Sequence, residues 1–378
     1  MTIQRALFIT HYQHIGDGKG GVQRCTAEYL DTIHAMGLSV EIVRINNNQR
    51  LDTKILRRVN SSPYFRPVAP MDLAIACEAA QNADVIFLNQ VALCAIAKPL
   101  KEAAGTTVPI IALSHGCEIT DLLHLARLHR KLPISGRLRP SPKQAWAQVL
   151  SDEIASRAHI DGVIALSDYD AQTETWLGTT KSIWLPRTIK PEPLAWTPTL
   201  GRFGFVGTLD HAPSLEGLVL VLDQIERQNA SQLSLRIVGA PPNIGQWLAQ
   251  RYATVDYLGP LSDADLNEEA KTWNAFLNPI FCQARGCSTK LAMALNWQIP
   301  IITTPIGRRG YTWSEGSVVE ADHPRIYVEA MISAQADNRV ALALQHHVRS
   351  ASVASPTLIQ VAEVMLAFCT SARAQTAR

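Results

Sequence analysis

The sequence predicts an α/β protein made of two doubly wound domains that face each other across a cleft. Three observations carry this. Short apolar runs alternate with longer amphipathic stretches along most of the chain. The runs are continuously apolar, as parallel strands are when helices cover both faces of the sheet. A proline-rich, aperiodic stretch from Lys190 to Pro198 then divides the series in two.

In the first series the candidate strands are Ala6–Thr10, Val40–Ile45, Asp84–Leu88, Ile110–Leu113, Gly162–Leu166 and Ile183–Leu185. Helical patterns lie near Val22–Met36, Ala92–Ala103, Lys143–Arg157 and Tyr169–Leu177. The second series offers Phe203–Val206, Leu233–Val238, Thr254–Leu258, Ala275–Asn278 and Ile299–Thr303, with helices between. A last helical pattern, Thr357–Thr370, follows Pro356 and is a candidate to return to the first domain. The expected division is 1–190, a linker over 191–200, a second domain over 201–355, and a C-terminal helix and tail over 356–378. A length of 378 residues suits two domains at roughly 100–200 residues each.

Composition excludes several classes. With 47% hydrophobic and 18% charged residues, the chain is too apolar to be disordered. A net charge of +2 gives no electrostatic reason to expect a nucleic-acid partner. No apolar run reaches the ~18–20 residues that span a bilayer, and the apolar start has no small-residue cleavage site. The seven cysteines are scattered, and only Cys282 and Cys287 lie close together, so no zinc pattern forms. Reduced thiols in a cytoplasmic protein are the expectation.

Ligands of doubly wound sheets bind beyond the carboxyl ends of the strands. The loops there hold the candidate chemistry. After the first strand, Gly16, Gly18, Gly20 and Gly21 lead into a helix at Val22, an arrangement that can cradle a phosphate or serve as a plain turn. It has neither the Gly-x-Gly-x-x-Gly spacing of a dinucleotide site nor a Walker lysine. After the fourth strand comes Ser114-His115-Gly116, whose histidine can bond a sugar hydroxyl or its own backbone. The second series contains Phe205-Val206-Gly207-Thr208, Val238-Gly239 and Leu258-Gly259-Pro260-Leu261. It ends in Arg285-Gly286-Cys287-Ser288-Thr289-Lys290 opening a helix, then Ile299 to Thr303 and Gly307-Arg308-Arg309-Gly310-Tyr311.

Taken in this order, from residue 16 to 311, these pieces resemble the GT-B glycosyltransferases of the GT4-like, group 1, retaining family. The resemblance implies two Rossmann-like domains and transfer of a hexose from a nucleotide-diphosphate sugar. A UDP-sugar is favoured, UDP-glucose among them, with a saccharide or lipid-linked acceptor in polysaccharide or glycan synthesis. It implies no metal and no other cofactor. Carried over residue by residue, His115 is the catalytic-site histidine facing the donor sugar. Gly20, Gly21, Arg285, Gly286, Cys287, Ser288, Thr289 and Lys290 are expected around the diphosphate, and Gly259, Pro260 and Leu261 around the base. Thr208 is also expected at the donor, although it stands where the family has an arginine, and Arg285 and Met293 stand where it has two glutamates. Those departures keep a GT-B UDP-sugar epimerase and a non-catalytic nucleotide-sugar-binding subunit in view. Asp17 and Asp210 are lone acids that fit turns as well as sites.

Leu122 to Ser151 lacks acidic residues and holds Arg127, Arg130, Lys131, Arg137, Arg139 and Lys143. Residues 127–143 are a candidate peripheral contact with the inner face of the membrane, or a solvated loop.

Overall fold

The structure, a computed structural model, describes residues 3–16, 20–48, 67–128 and 143–376. The chain forms two compact units. Among the described residues the first comprises 3–16, 20–48, 67–126, 143–186 and 357–376, and the second 127–128 and 187–356. Asp17, Gly18 and residues 129–142, the greater part of the candidate membrane contact 127–143, lie outside the described residues.

The first unit is built on a six-stranded sheet. Its strands are β1 (Arg5–His11), β2 (Ser39–Ile45), β3 (Val85–Asn89), β4 (Ile110–Leu113), β5 (Gly162–Ala165) and β6 (Ser182–Trp184). The order is β2-β1-β3-β4-β5-β6, with every pairing parallel. Residues of β3, β4 and β5 are buried throughout, which is why each reads as an unbroken apolar run. Helices α1 (Gly21–Ala35), α2 (Pro70–Ala80), α3 (Ala97–Ala104), α4 (Glu118–Leu128), α5 (Lys143–Ser156) and α6 (Asp168–Trp176) belong to this unit. Leu7, Ile9, Ile86, Leu88, Ile110, Ala112 and Val163 form its main core.

The C-terminal helix, Leu358–Thr376, also joins the first unit and packs on α1. Its Phe368 ring lies so close to Gly162 that a Cβ there would sit 2.7 Å from the ring. Lys181 Nζ donates to Ser371 O at 3.0 Å and to its Oγ at 2.9 Å. Thr376 Oγ1 donates to Thr107 O at 3.1 Å. Arg373 reaches Asp84, whose carboxylate also accepts the Gln4 and Arg5 amides at 3.0 and 2.9 Å.

The second unit repeats the plan. Its strands are β7 (Thr199–Val206), β8 (Ser234–Val238), β9 (Val255–Gly259), β10 (Trp273–Asn278), β11 (Ile301–Thr303) and β12 (Val319–Glu320), in the parallel order β12-β11-β10-β7-β8-β9. Helices α7 (Ala212–Arg227), α8 (Pro242–Arg251), α9 (Asp263–Ala270), α10 (Thr289–Trp297), α11 (Pro324–Ala334) and α12 (Asn338–Val353) surround it. One core cluster gathers Phe203, Phe205, Leu235, Ile237, Ala275 and Leu277. The stretch read as a linker is strapped along this unit. Glu192 N donates to Asn296 O at 2.8 Å, Leu194 N to Trp297 O at 3.1 Å and Thr197 N to Lys271 O at 2.9 Å.

Both sheets have a point where the strand order reverses, between β1 and β3 in the first and between β7 and β10 in the second. Such points open a crevice at the carboxyl ends of the strands. No single helix among the described residues is long and apolar enough to cross a membrane, and all seven cysteines are free thiols.

Candidate active site

In the second unit, three neighbouring strand ends carry glycine, two of them for a packing reason and the third for its backbone turn. Gly207 N donates to Val238 O at 3.0 Å, and Gly239 N donates to Gly259 O at 3.0 Å. A Cβ on Gly239 would lie 1.8 Å from Gly207 O, so the backbones touch with no room for a side chain. Gly259 turns with φ +75°. After it, Pro260 is exposed, while Leu261 is half-buried and packs with Leu258 against the unit's core.

Lys290 rises from the first turn of α10 into the space beside Gly207. A Cβ on Gly207 would sit 2.2 Å from Lys290 Cε. The ammonium donates to Ser214 Oγ at 2.7 Å and stands 4.8 Å from the centre of the Phe205 ring. Desolvation there pushes its pKa down to about 8. A cation in this state gains from an incoming anion, which would restore its charged form.

The start of α10 is held open by three side chains. Ser288 is the N-cap residue, but its hydroxyl bonds Asn278 Oδ1 at 3.0 Å and makes no cap bond to the helix. Asn278, buried at the end of β10, is fixed in turn by Thr303 Oγ1 at 3.0 Å and Gly307 O at 3.1 Å. The Tyr311 hydroxyl donates to Ser288 O at 2.5 Å and accepts from Ala292 N at 3.1 Å. Ser288 O and Ala292 N are the two groups that would otherwise bond directly in a regular α-helix. Tyr311 is therefore inserted into the first turn. A helix start left uncapped by side chains, with its dipole positive, suits an anion.

Around it, Gly286 is buried at φ +66°, and Cys287 Sγ accepts from Arg187 Nη1 at 3.1 Å. Arg309 is buried and donates to Ala284 O at 2.9 Å and Ile306 O at 2.8 Å, fixing the backbone just before Arg285. Arg285 is partly exposed, Thr289 opens the helix and Thr208 is exposed just past Gly207. Met293 packs against the cluster of Trp273, Phe276 and Trp297. It does core work where the resemblance leads one to expect a ribose-binding carboxylate.

In the first unit, Gly20 caps α1 and Gly21 is its first residue. His115 follows β4 and is buried. Its Nε2 lies 2.9 Å from Asn89 Oδ1 at the end of β3. Tyr29 of α1 tilts against its ring at 5.7 Å and donates its hydroxyl to Ser114 O at 3.1 Å. Beneath the loop lies a fully buried ion pair, in which Arg157 grips Glu174 through Nε at 2.9 Å and Nη2 at 3.0 Å. Glu174 Oε1 also accepts from Ser114 Oγ at 3.0 Å. Glu153 accepts the amides of Glu118 and Ile119 at 2.6 and 3.3 Å, and burial pushes its carboxyl upward. The sequence reading missed these supports, because each partner is remote along the chain.

The family model described as glycosyl transferases group 1 matches residues 201–337. That range runs from within β7 to just past the end of α11 and includes every residue around Gly207, Lys290 and the start of α10 described above except Arg187. Residues 201–337 form a group 1 glycosyltransferase domain. The chain is by this domain a glycosyltransferase in enzyme class. Solved structures share its architecture. HepE of Anabaena, crystallised with UDP and glucose, is 12% identical with a TM-score of 0.62, covering 97% of this chain and 100% of that one. Sucrose-phosphate synthase from Thermosynechococcus elongatus is 15% identical with a TM-score of 0.64, covering 98% of this chain and 100% of that one. The lipopolysaccharide outer core galactosyltransferase WaaB is 14% identical with a TM-score of 0.59, covering 97% and 100%. At these identities the likeness establishes the fold, which is the GT-B architecture of two parallel α/β sheets. A comparison with curated protein sequences gives no match.

Proposed function

We propose that this glycosyltransferase moves a hexose from a UDP-sugar, with UDP-glucose the favoured donor, to a saccharide or lipid-linked acceptor in glycan synthesis. The observation that carries the reading is Lys290. Its ammonium is desolvated beside Phe205 and Gly207, next to a helix start that no side chain caps. A nucleotide diphosphate supplies the charge this place lacks. The HepE structures bound to UDP and to UDP-glucose, on the same fold, support the choice of base and sugar.

The chemistry follows from charge. When the bond from the sugar's anomeric carbon to the phosphate oxygen breaks, the leaving diphosphate gains a negative charge. Lys290 and the α10 dipole stabilise it without a metal ion. In the retaining course, the acceptor hydroxyl attacks from the face the diphosphate leaves. Its proton passes to a phosphate oxygen, the new glycosidic bond forms, and UDP departs. His115 meets a hydroxyl of the transferred sugar. The protein works in the cytoplasm, with peripheral contact at the membrane's inner face through residues 127–143.

A thermal-shift panel of UDP, GDP, ADP and their sugar conjugates tests the donor assignment. A shift with UDP and UDP-glucose, kept in EDTA, is expected, and no shift with any compound refutes it. Met293 and Thr208, standing in for a family glutamate and arginine, favour a second reading as a non-catalytic nucleotide-sugar-binding subunit. Release of UDP from UDP-glucose, with acceptor or slowly by hydrolysis, separates enzyme from binder. Binding to anionic vesicles that falls with added salt is expected for the membrane contact.

A further inference from the structure

Asn89 is fully buried, and both ends of its amide are engaged. Nδ2 lies 2.8 Å from Thr10 Oγ1 and 2.9 Å from Thr26 Oγ1. Oδ1 lies 2.9 Å from His115 Nε2. Which end of an amide is nitrogen is decided by its partners. Thr26 decides it here. A hydroxyl has one proton, and that of Thr26 goes to Val22 O at 2.9 Å, one turn back in α1. Toward Asn89, Thr26 is therefore an acceptor, so the NH2 group must face it. Oδ1 is left facing the histidine. An amide oxygen only accepts, so Nε2 of the ring must carry a hydrogen.

We propose that Asn89 is a positioning residue that locks His115 in the Nε2–H tautomer. In its neutral form the ring then carries its lone pair at Nδ1, and any group that meets Nδ1 of that form must donate to it. For a sugar substrate this makes His115 an acceptor of a hydroxyl proton and rejects a ligand that offers only an acceptor at that position. The ring's tilt is set from another side by Tyr29, whose hydroxyl is anchored on Ser114 O. The functional consequence rests on the donor-sugar role proposed for His115; the tautomer does not.

The test is a long-range 1H–15N correlation spectrum of the full-length protein labelled at histidine, with His115 assigned from the His115→Gln spectrum. The expected pattern is a protonated Nε2 and an unprotonated Nδ1. The reverse pattern in the wild type overturns the proposal, whatever any variant does. Asn89→Leu is expected to release the ring into a mixture of tautomers, and Asn89→Asp, which keeps an acceptor, to retain Nε2–H. An unchanged pattern in Asn89→Leu overturns the proposal. If that variant does not fold, Thr10→Val combined with Thr26→Val takes its place, because the pair removes both hydroxyls that hold the NH2 end of the amide. A detectable Nδ1–H population is then expected, and none overturns it. In UDP release from UDP-glucose, Asn89→Leu is expected to lower kcat at least tenfold, with UDP affinity within twofold of wild type. Equal losses in both, or no loss in kcat, count against the positioning role. If the wild type neither binds UDP nor releases it, the transferase reading fails while the tautomer assignment stands.

Discussion

Replacing Lys290 by methionine is expected to make the protein more stable and less able to hold a nucleotide. Methionine keeps the length and apolar stem but removes the charge. Desolvation lowers the lysine pKa from 10.5 to about 8. At 1.4 kcal/mol per unit, this amounts to about 3 kcal/mol against the charged form in the folded state. Partial exposure of the side chain and the lost hydrogen bond to Ser214 reduce the gain from methionine to about 1 kcal/mol. The sign with pH is fixed. A base whose folded pKa lies below its unfolded value binds fewer protons when folded, between about pH 8 and 10.5. Wild-type stability therefore rises with pH across that window, and the advantage of Lys290→Met fades. Below pH 8 the advantage is full and flat. Urea unfolding of both proteins at pH 7 and pH 9.5 measures it. Nucleotide binding moves the other way. A bound diphosphate raises the lysine pKa, so binding takes up a proton as the pH passes 8, and affinity falls by up to about tenfold per unit above it. Calorimetry in two buffers of different ionisation enthalpy at pH 8.5 detects the proton. At pH 7, Lys290→Met is expected to lose on the order of 100-fold in UDP affinity. A variant that is less stable at every pH and binds UDP as well as wild type would refute the reasoning.

Gly207→Ala places a methyl 2.2 Å from Lys290 Cε; titration with UDP is expected to show at least a tenfold loss (roughly 1.4 kcal/mol), and wild-type affinity would mean the lysine does not need that path. Tyr311→Phe removes the hydroxyl that bridges Ser288 O and Ala292 N, and a stability loss of about 1–2 kcal/mol in denaturant is expected. Glu174→Gln removes the carboxylate that grips the buried Arg157 through two nitrogens; about 3–5 kcal/mol of stability should be lost, and a fall under 1 kcal/mol would show that the pair is not the anchor of the His115 loop.

The strands were legible because parallel strands covered on both faces have no polar alternation to break the run. Ile110–Leu113 matches its expected bounds, and Gly162–Ala165 ends one residue short of its expected end. The edge strand β12 was missed, since its two residues, half-exposed Val319 and exposed Glu320, are too few to show a run or a period. Lys290 and the glycines were legible because each stands at a strand end or helix start, where local sequence sets geometry. The supports were not. Asn89 and His115 are 26 positions apart, and Tyr311 and Ser288 are 23 apart. Only the sheet order brings such pairs together, and no periodicity records it. Met293 reads as a departure in sequence; its packing against Trp273 and Trp297 explains what it does instead.

The return of the C-terminal helix to the first unit has a consequence for synthesis. Between Pro186 and Thr357 the ribosome must make the 170 residues 187–356. At about 5–20 residues per second this takes roughly 10–30 s. Until then the nascent first unit lacks Phe368 over Gly162 and Arg373 at Asp84. The half of the protein made first is thus finished last. A truncated message that ends before residue 357 would leave a complete second unit beside an unfinished first one, with apolar surface exposed where the helix belongs.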